Sequence, residues 1–277
     1  MPARASATGC CDVPPGEATP PLNNRLELTI TELDGGSAPV SVDVGAVRGA
    51  GLCVRDRAAA GREQERRRAA GEPWHSSDLF TYRIGRHLAT TDASIEVQGP
   101  LTGGEAEVVV IFVGEEVLIG VGSDQCDREL DALFLEKPKQ LCPHPLGRRV
   151  WRYADVEDHW DELRVEAEVE IDGKAVAIQS FALAELVTFD TLLATDALRE
   201  RPDGTVFYCG TGGAPPGAVA EIARLGLPPE TISGVGEVFR MRLYDPVRDR
   251  ELRHEYRVEV LGDHLADRRL DDGEDAR

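Results

Sequence analysis

"GGEAEVVVIFVGEEVLIGVGSDQCDREL", residues 103–130, decides how the whole chain is read. Two apolar runs flank Gly114-Glu115-Glu116, so the stretch is expected to form strand, turn, strand. Neither run alternates with polar residues, which implies burial on both faces. The two-residue period of a strand places Glu105 and Glu107 on one face and Ala106 on the other. The return strand then carries Asp124 back beside them. Three carboxylates at the ends of adjacent strands repel one another unless one is protonated or a cation bridges them. Hard oxygen donors of this kind suit Mg²⁺, Mn²⁺ or Ca²⁺. With Ser123 as the N-cap of a following helix, Arg128 lies one turn further on and pairs with a carboxylate ligand or a substrate anion. The same residues also fit a solvated acidic strand edge with Asp124 in a turn.

Composition sets the surroundings of that stretch. The 277 residues are 42% apolar and carry a formal net charge of -19, enough chain for one large or two small domains with a real core. The acidity argues against nucleic acid and against anionic membranes as partners. No run approaches the roughly 18 apolar residues of a membrane span, and the N-terminus lacks the apolar core of a signal peptide. Six cysteines without regular spacing form neither a disulfide framework nor a zinc cluster. A cytoplasmic location is the expectation.

The organisation expected is a core with two soft ends. Residues 1–24 are a Pro-rich, aperiodic tail and residues 263–277 an acidic one, leaving residues 25–262 as a single domain that opens with a small hairpin over 25–50. "RLELTITEL" and "PVSVDVGAV" alternate around Asp-Gly-Gly, and "ELRVEAEVEIDGKAVAIQSF" alternates around Asp-Gly, so both read as hairpins. "RDRAAAGREQERRRAAG" reads as a charged helix, and "ALAELVTFDTLLA" has helical spacing. "GTVFYCGTGG", "GEVFRMRLYD" and "HEYRVEVLG" read as strands. The fold class is α+β and mostly β, with a rolled mixed sheet or sandwich and few helices.

Six blocks in fixed order, over residues 50–261, resemble the fumarylacetoacetate hydrolase superfamily. "GGEAEVVVIF" and "IGVGSDQCDREL" match its Glu-x-Glu strand and its Asn-Asp-x-x-x-Arg element, with Ser123 where Asn is usual. "FTYRIGRHLATTDASIEV", "LEKPKQLCPHPLG", "LRVEAEVEIDGKAVAIQSF", "RPDGTVFYCGTGGAPPG" and "VGEVFRMRLYDPVRDRELRHEYRVEV" match further segments. The wording is most similar to a bacterial family known only as domain of unknown function 2848. The resemblance implies that Glu105, Glu107 and Asp124 bind one divalent cation, magnesium or manganese. It implies an enzyme acting on a 2-oxo acid or 1,3-dicarbonyl compound through a metal-stabilised enolate. C–C hydrolysis, decarboxylation, hydration or dehydration, and isomerisation all fit such chemistry, and a homodimer is the usual assembly. Lys139, Arg128 and Thr211 are the implied catalytic residues, and Gly210, Gly212, Gln179 and Tyr82 the implied substrate-binding ones.

Two departures bear on mechanism. Lys137 and Lys139 compete for the active-site lysine, and Lys139, which the nearby cation should shift toward a lower pKa, is preferred. Relatives carry a His-Glu pair on a lid helix, whereas this chain has Gly61, Arg62 and Glu63 near that place. The nearest histidine, His75, serves only if its loop folds over the site. The alternative function is therefore a small-acid-binding accessory protein that keeps the fold without the chemistry. Trp74, Trp151 and Trp160 are expected to be packing residues, and Cys126 and Cys142 small core residues.

Overall fold

The computed structural model describes residues 24–77 and 79–261, so both expected tails lie outside it except for Asn24. Asn24 is held in place, its amide donating to the carbonyls of Arg86 and Ala89 at 2.7 Å each.

Strands β1 (Arg25–Thr31) and β2 (Ser37–Asp43) form the first hairpin. The expected hairpin boundary at residue 50 is corrected: β3 (Ala46–Gly51) leaves it and pairs with β4 (Phe80–Ile84). Then follow β5 (Ser94–Val97), β6 (Ala106–Val113), β7 (Glu116–Ser123), β8 (Arg149–Arg152), β9 (Arg164–Ile171), β10 (Lys174–Ala182), β11 (Thr205–Tyr208), β12 (Val238–Asp245) and β13 (Arg250–Val260). Eight of them make one curled mixed sheet in the order β2-β1-β8-β7-β6-β11-β3-β4, and five make a second in the order β10-β9-β12-β13-β5.

The β6–β7 hairpin sits in the middle of the larger sheet, and its apolar runs are buried on both faces for a visible reason. Val108, Val110 and Phe112 face the second sheet, packing in one core with Val165, Phe181, Phe239 and Leu243. Val109 and Ile111 point the other way, into a core that the curled sheet closes around itself with Leu28, Val47, Ile84 and Val206. Each such side chain contributes about 1.5–3 kcal/mol of burial. The ends of β6 and β7 are thereby fixed from two sides, and the site lies at those ends.

Helix α1 (Arg57–Ala70) starts where the Asp56 carboxylate accepts the Ala59 N–H at 3.0 Å and stops at left-handed Gly71. The expected helix at Ser123 does not form. The strand pairing runs on to Ala106 opposite Ser123, and α2 (Arg128–Asp131) begins only after Asp127, which caps it through the Leu130 N–H. The helical spacing of 182–194 is realised in two pieces, a 3-10 turn at Leu183–Glu185 and α3 (Phe189–Leu193). Trp151 and Trp160 are buried as expected, but Trp74 is 43% exposed, with the Arg68 guanidinium over its ring. Among the described residues no helix is long and apolar enough to cross a membrane.

Candidate metal centre

The backbone builds the cluster before any side chain acts. Asp124 N–H donates to the Glu105 carbonyl at 2.9 Å, tying the end of β7 to the start of β6. One carboxylate oxygen from each of Glu105, Glu107 and Asp124 then lies within 4.8 Å of the others. Glu107 and Asp124 are buried, and Glu105 is half-buried. Burial, Asp124 and Glu105 together push the Glu107 carboxyl well above the usual carboxylate range. Burial would raise Glu105 and Asp124 as well, but their neighbours outweigh it and hold both below that range: the Lys139 and Arg128 cations for Glu105, and the Lys139 cation with the His144 ring for Asp124. Without a cation, one member of the set therefore tends to keep a proton. Buried oxygen donors that share a proton for want of charge fit a hard divalent cation.

Each carboxylate is held by a dedicated partner. Arg128 Nη1 donates to Glu105 Oε1 at 2.9 Å, and its Nη2 donates to the Ser233 carbonyl at 2.8 Å. The Gly210 N–H donates to Glu107 Oε2 at 2.7 Å. Gly210 has φ +93, and a Cβ there would collide with Cys53, so that amide points inward only because the residue is glycine. The Tyr82 hydroxyl donates to Asp124 Oδ2. Lys139 Nζ reaches Glu105 Oε2 at 2.8 Å and Asp124 Oδ2 at 2.6 Å, bridging two members of the set.

The two lysines are separated by their neighbours. Both lie in the 3-10 turn Lys137–Leu141, where Lys139 turns inward and Lys137 stacks over the Phe134 ring at 4.3 Å. The downward shift of Lys139 was expected of the metal-bound protein; without metal its carboxylate neighbours act the other way. Burial alone would lower it, but Asp124 and Glu105 raise it well above the ordinary lysine value. Thr211 lies beside the cluster, donating to the Ala106 carbonyl at 3.3 Å and accepting from the Gln179 amide. Gln179 in turn accepts the Ala106 N–H at 2.8 Å, so it links Thr211 to the ligand strand. Gly212 lies against Phe181, where a Cβ has no room.

The cluster opens into a pocket of about 250 Å³. Its polar lining comprises Glu105, Glu107, Lys139, Tyr82 and Thr211, together with Gln64 and Arg67 from α1 and Asp131 from α2. The lid residues facing it are thus Gln64 and Arg67, not Gly61, Arg62 or Glu63. His75 stacks on Phe80 at 4.8 Å, and Phe80 rather than His75 lines the pocket. Buried His144 was not anticipated. Its Nε2 meets the Lys139 carbonyl at 2.7 Å, and its Nδ1 lies 3.1 Å from Asp124 Oδ1. Only the "CPHPLG" wording lay near it in the sequence, and no spacing pointed to Asp124. The four described cysteines are thiols in the core: burial pushes Cys142 up to about 12, and Cys53, Cys126 and Cys209 higher still.

The curled mixed sheet and the acidic centre at its strand ends define a fold of the fumarylacetoacetate hydrolase type. The structure of "2-keto-3-deoxy-D-arabinonate dehydratase" is similar at a TM-score of 0.55 and 13% identity, over 80% of this chain and 75% of that one. So is "2-hydroxyhepta-2,4-diene-1,7-dioate isomerase from Mycobacterium marinum", at 0.52 and 12%, over 83% and 82%. A third, "Crystal structures of Cg1458", matches at 0.55 and 13% over 82% and 83%. Within that fold, the chain belongs to the family described as "Protein of unknown function (DUF2848)", which matches residues 50–256. No curated protein matches the sequence.

Proposed function

We propose that the protein is a divalent-cation-dependent enzyme acting on a small 2-oxo acid or 1,3-dicarbonyl compound. The observation that carries this reading is the convergence of Glu105, Glu107 and Asp124 within 4.8 Å, with Glu105 and Glu107 lining a pocket. Glu105, Glu107 and Asp124 would hold Mg²⁺ or Mn²⁺, which supplies a Lewis acid for two adjacent substrate oxygens. The names of the dehydratase and the isomerase describe 2-keto and 2-hydroxydiene acids, which supports the substrate class.

The chain's own residues divide the remaining work. Lys139, positioned by Glu105 and Asp124, donates a hydrogen bond or a proton to the oxygen on which negative charge develops. Arg128 keeps its charge at any working pH and orients Glu105 rather than the substrate, because its contacts are with Glu105 and Ser233. Thr211 would turn its hydroxyl from the Ala106 carbonyl to a substrate carboxylate or carbonyl. Tyr82 and Gly210 steady Asp124 and Glu107, and Gln179 steadies Thr211. The lid offers Gln64 and Arg67, neither of them a general base, so isomerisation, dehydration or decarboxylation suits the site better than hydrolysis by lid-activated water.

The test is a screen of 2-oxo acids and acylpyruvates with Mn²⁺-loaded protein, following release of CO₂, pyruvate or water-loss products. Turnover that disappears on chelation and returns with Mn²⁺ is the expected result. Protein that takes up no Mn²⁺ removes the reading.

A further inference from the structure

Enolate chemistry needs a group that takes a proton from carbon, and the lid helix supplies none. A carboxylate on α2 stands where one is needed. Asp131 ends α2 and lines the pocket together with Glu105, Glu107 and Lys139. It follows Arg128 by three residues, so both side chains leave the helix on one face. The Arg128 contact with Glu105 turns that face toward the carboxylate cluster. The short helix is pinned at its start, where Asp127 accepts the Leu130 N–H at 3.0 Å and the Arg128 N–H donates to the Leu101 carbonyl at 2.8 Å.

The other ionisable groups of the lining are committed elsewhere. Glu105 is held by Arg128 and Lys139, and Glu107 by the Gly210 N–H. The Tyr82 hydroxyl donates to Asp124, and burial pushes the Cys53 thiol far up. Arg67 is paired with Glu63 at 2.9 Å and, like Lys139, is a donor with no free lone pair. Asp131 differs from all of these. Among the described residues its carboxylate accepts no hydrogen bond, and its ion pair with Arg128 Nη1 is loose at 3.8 Å, because that nitrogen donates to Glu105 at 2.9 Å. Its side chain is 35% exposed, so it can meet a ligand in the pocket. Burial and Glu105 push its carboxyl above the ordinary aspartate value, which makes it a stronger base than a free aspartate.

We infer that Asp131 is the general base that removes the C3 proton of a 2-oxo acid held at the metal centre. The inference rests on the reading of Glu105, Glu107 and Asp124 as that centre. The C3–H bond breaks as an O–H bond forms on the Asp131 carboxylate. The freed electron pair becomes the C2=C3 double bond, and the C2 oxygen takes the negative charge beside Lys139. Protonated Asp131 then returns its proton to C3, to a carbon further along a conjugated chain, or to hydroxide leaving C4. These three outcomes are exchange, isomerisation and dehydration. Lys139 thus serves oxygen and Asp131 serves carbon. Decarboxylation breaks no C3–H bond and has no use for such a base, so the assignment narrows the chemistry to isomerisation or dehydration.

The test follows deuterium entry at C3 of 2-oxobutanoate in D₂O by mass spectrometry, with Mn²⁺-loaded protein against a Mn²⁺-only control. Asp131→Asn should slow the protein-catalysed exchange about 100-fold, the scale of one positioned base, with Mn²⁺ and 2-oxobutanoate affinities by calorimetry within about twofold of the parent. Glu129→Gln, which removes an exposed carboxylate from the same helix, should leave exchange unchanged. Parental exchange in Asp131→Asn, or an equal loss in Glu129→Gln, overturns the inference and leaves the metal reading standing. A roughly tenfold loss of Mn²⁺ affinity in Asp131→Asn also overturns it, because Asp131 would then act on Glu105 through Arg128. Parent protein that binds Mn²⁺ but exchanges nothing at C3 counts against the base alone, and parent protein that takes up no Mn²⁺ overturns both readings.

Discussion

The tripeptide Glu-Ala-Glu occurs twice, at 105–107 and at 166–168, and the two copies live in opposite conditions. In both, the alanine points into the core: Ala106 is 0% exposed and Ala167 is 4%. On β9 the glutamates face outward, opposite Arg242 and Arg240 in register on β12. Glu166 meets Arg242 at 2.9 Å and Glu168 meets Arg240 at 3.0 Å, with about 40% of each glutamate side chain in water. At 105–107 no arginine ladder lies opposite. Asp124 faces the pair instead, and one lysine and one arginine compensate three carboxylates. Strand period determines where carboxylates point, and the facing strand determines whether they are paired charges or a cation site.

Exchanging the cation beside each copy should give the largest difference. Lys139→Met is expected to lower turnover about 100-fold, the size of one acid or oxyanion contact, with substrate binding within a few-fold. Lys137→Met, and Arg240→Met on the ladder, should leave turnover unchanged, and Arg240→Met should cost about 1 kcal/mol of stability or less. Steady-state kinetics and urea unfolding of the three variants check this. Unchanged turnover in Lys139→Met would dissolve the distinction between the copies.

A smaller effect is expected from Arg128→Met, which frees Glu105 without removing it. Mn²⁺ affinity should fall about tenfold, within the range known for partners that orient metal ligands. Calorimetry would read it, and parental affinity would count against the role given to Arg128.

The cluster also makes a pH signature. Burial and its acidic neighbours raise the folded-state pKa of Glu107 above its unfolded value, so the protonated form is the one that favours folding. That contribution is full below the ordinary carboxylate range and is lost as pH rises toward the raised value. Metal-free protein should therefore lose stability on going from mildly acidic to neutral pH, at a rate of about 1.4 kcal/mol per pH unit within that window. Glu107→Gln should abolish that loss in chelator-treated urea titrations, and an identical pH profile in the variant would contradict it.

Assembly is the finest point of comparison. Leu133, Phe134 and Leu141 lie exposed in the segment that carries Lys139, whereas the ladder face is charged. A homodimer joined beside the site would cover the apolar face and leave the charged one in water. Light scattering should then report twice the 30.1 kDa chain mass.

Glu105, Glu107 and Asp124 could be read in advance from local rules, whereas Tyr82, Lys139, Gln179, Gly210, Thr211 and Gly212 came only from the resemblance to the superfamily. Two-residue alternation placed Glu105 and Glu107 on one face, and the tight turn at Gly114 made the return of Asp124 predictable. Arg128 was placed near a carboxylate on a mistaken premise, since its helix starts at Asp127 and not at Ser123. Its contact survives because Asp124 N–H is already bound to the Glu105 carbonyl. His144, Gln64, Arg67 and Asp131 were missed for a common reason. Gln64 and Arg67 share one face of α1, but α1, Asp131 on α2 and His144 beyond the 3-10 turn come from three separate segments that meet the strand ends only in the folded chain, and no single period links the three. Asp131 shows the consequence: burial and Glu105 push its carboxyl up, a property set wholly by tertiary neighbours.

The most direct test of the central claim is Mn²⁺ calorimetry on the parent, Asp124→Ala and Glu168→Ala, with folding checked by circular dichroism. One Mn²⁺ per chain in the parent and in Glu168→Ala, and none in a folded Asp124→Ala, is the predicted result. Asp124→Ala protein that binds Mn²⁺ as tightly as the parent would contradict the assignment.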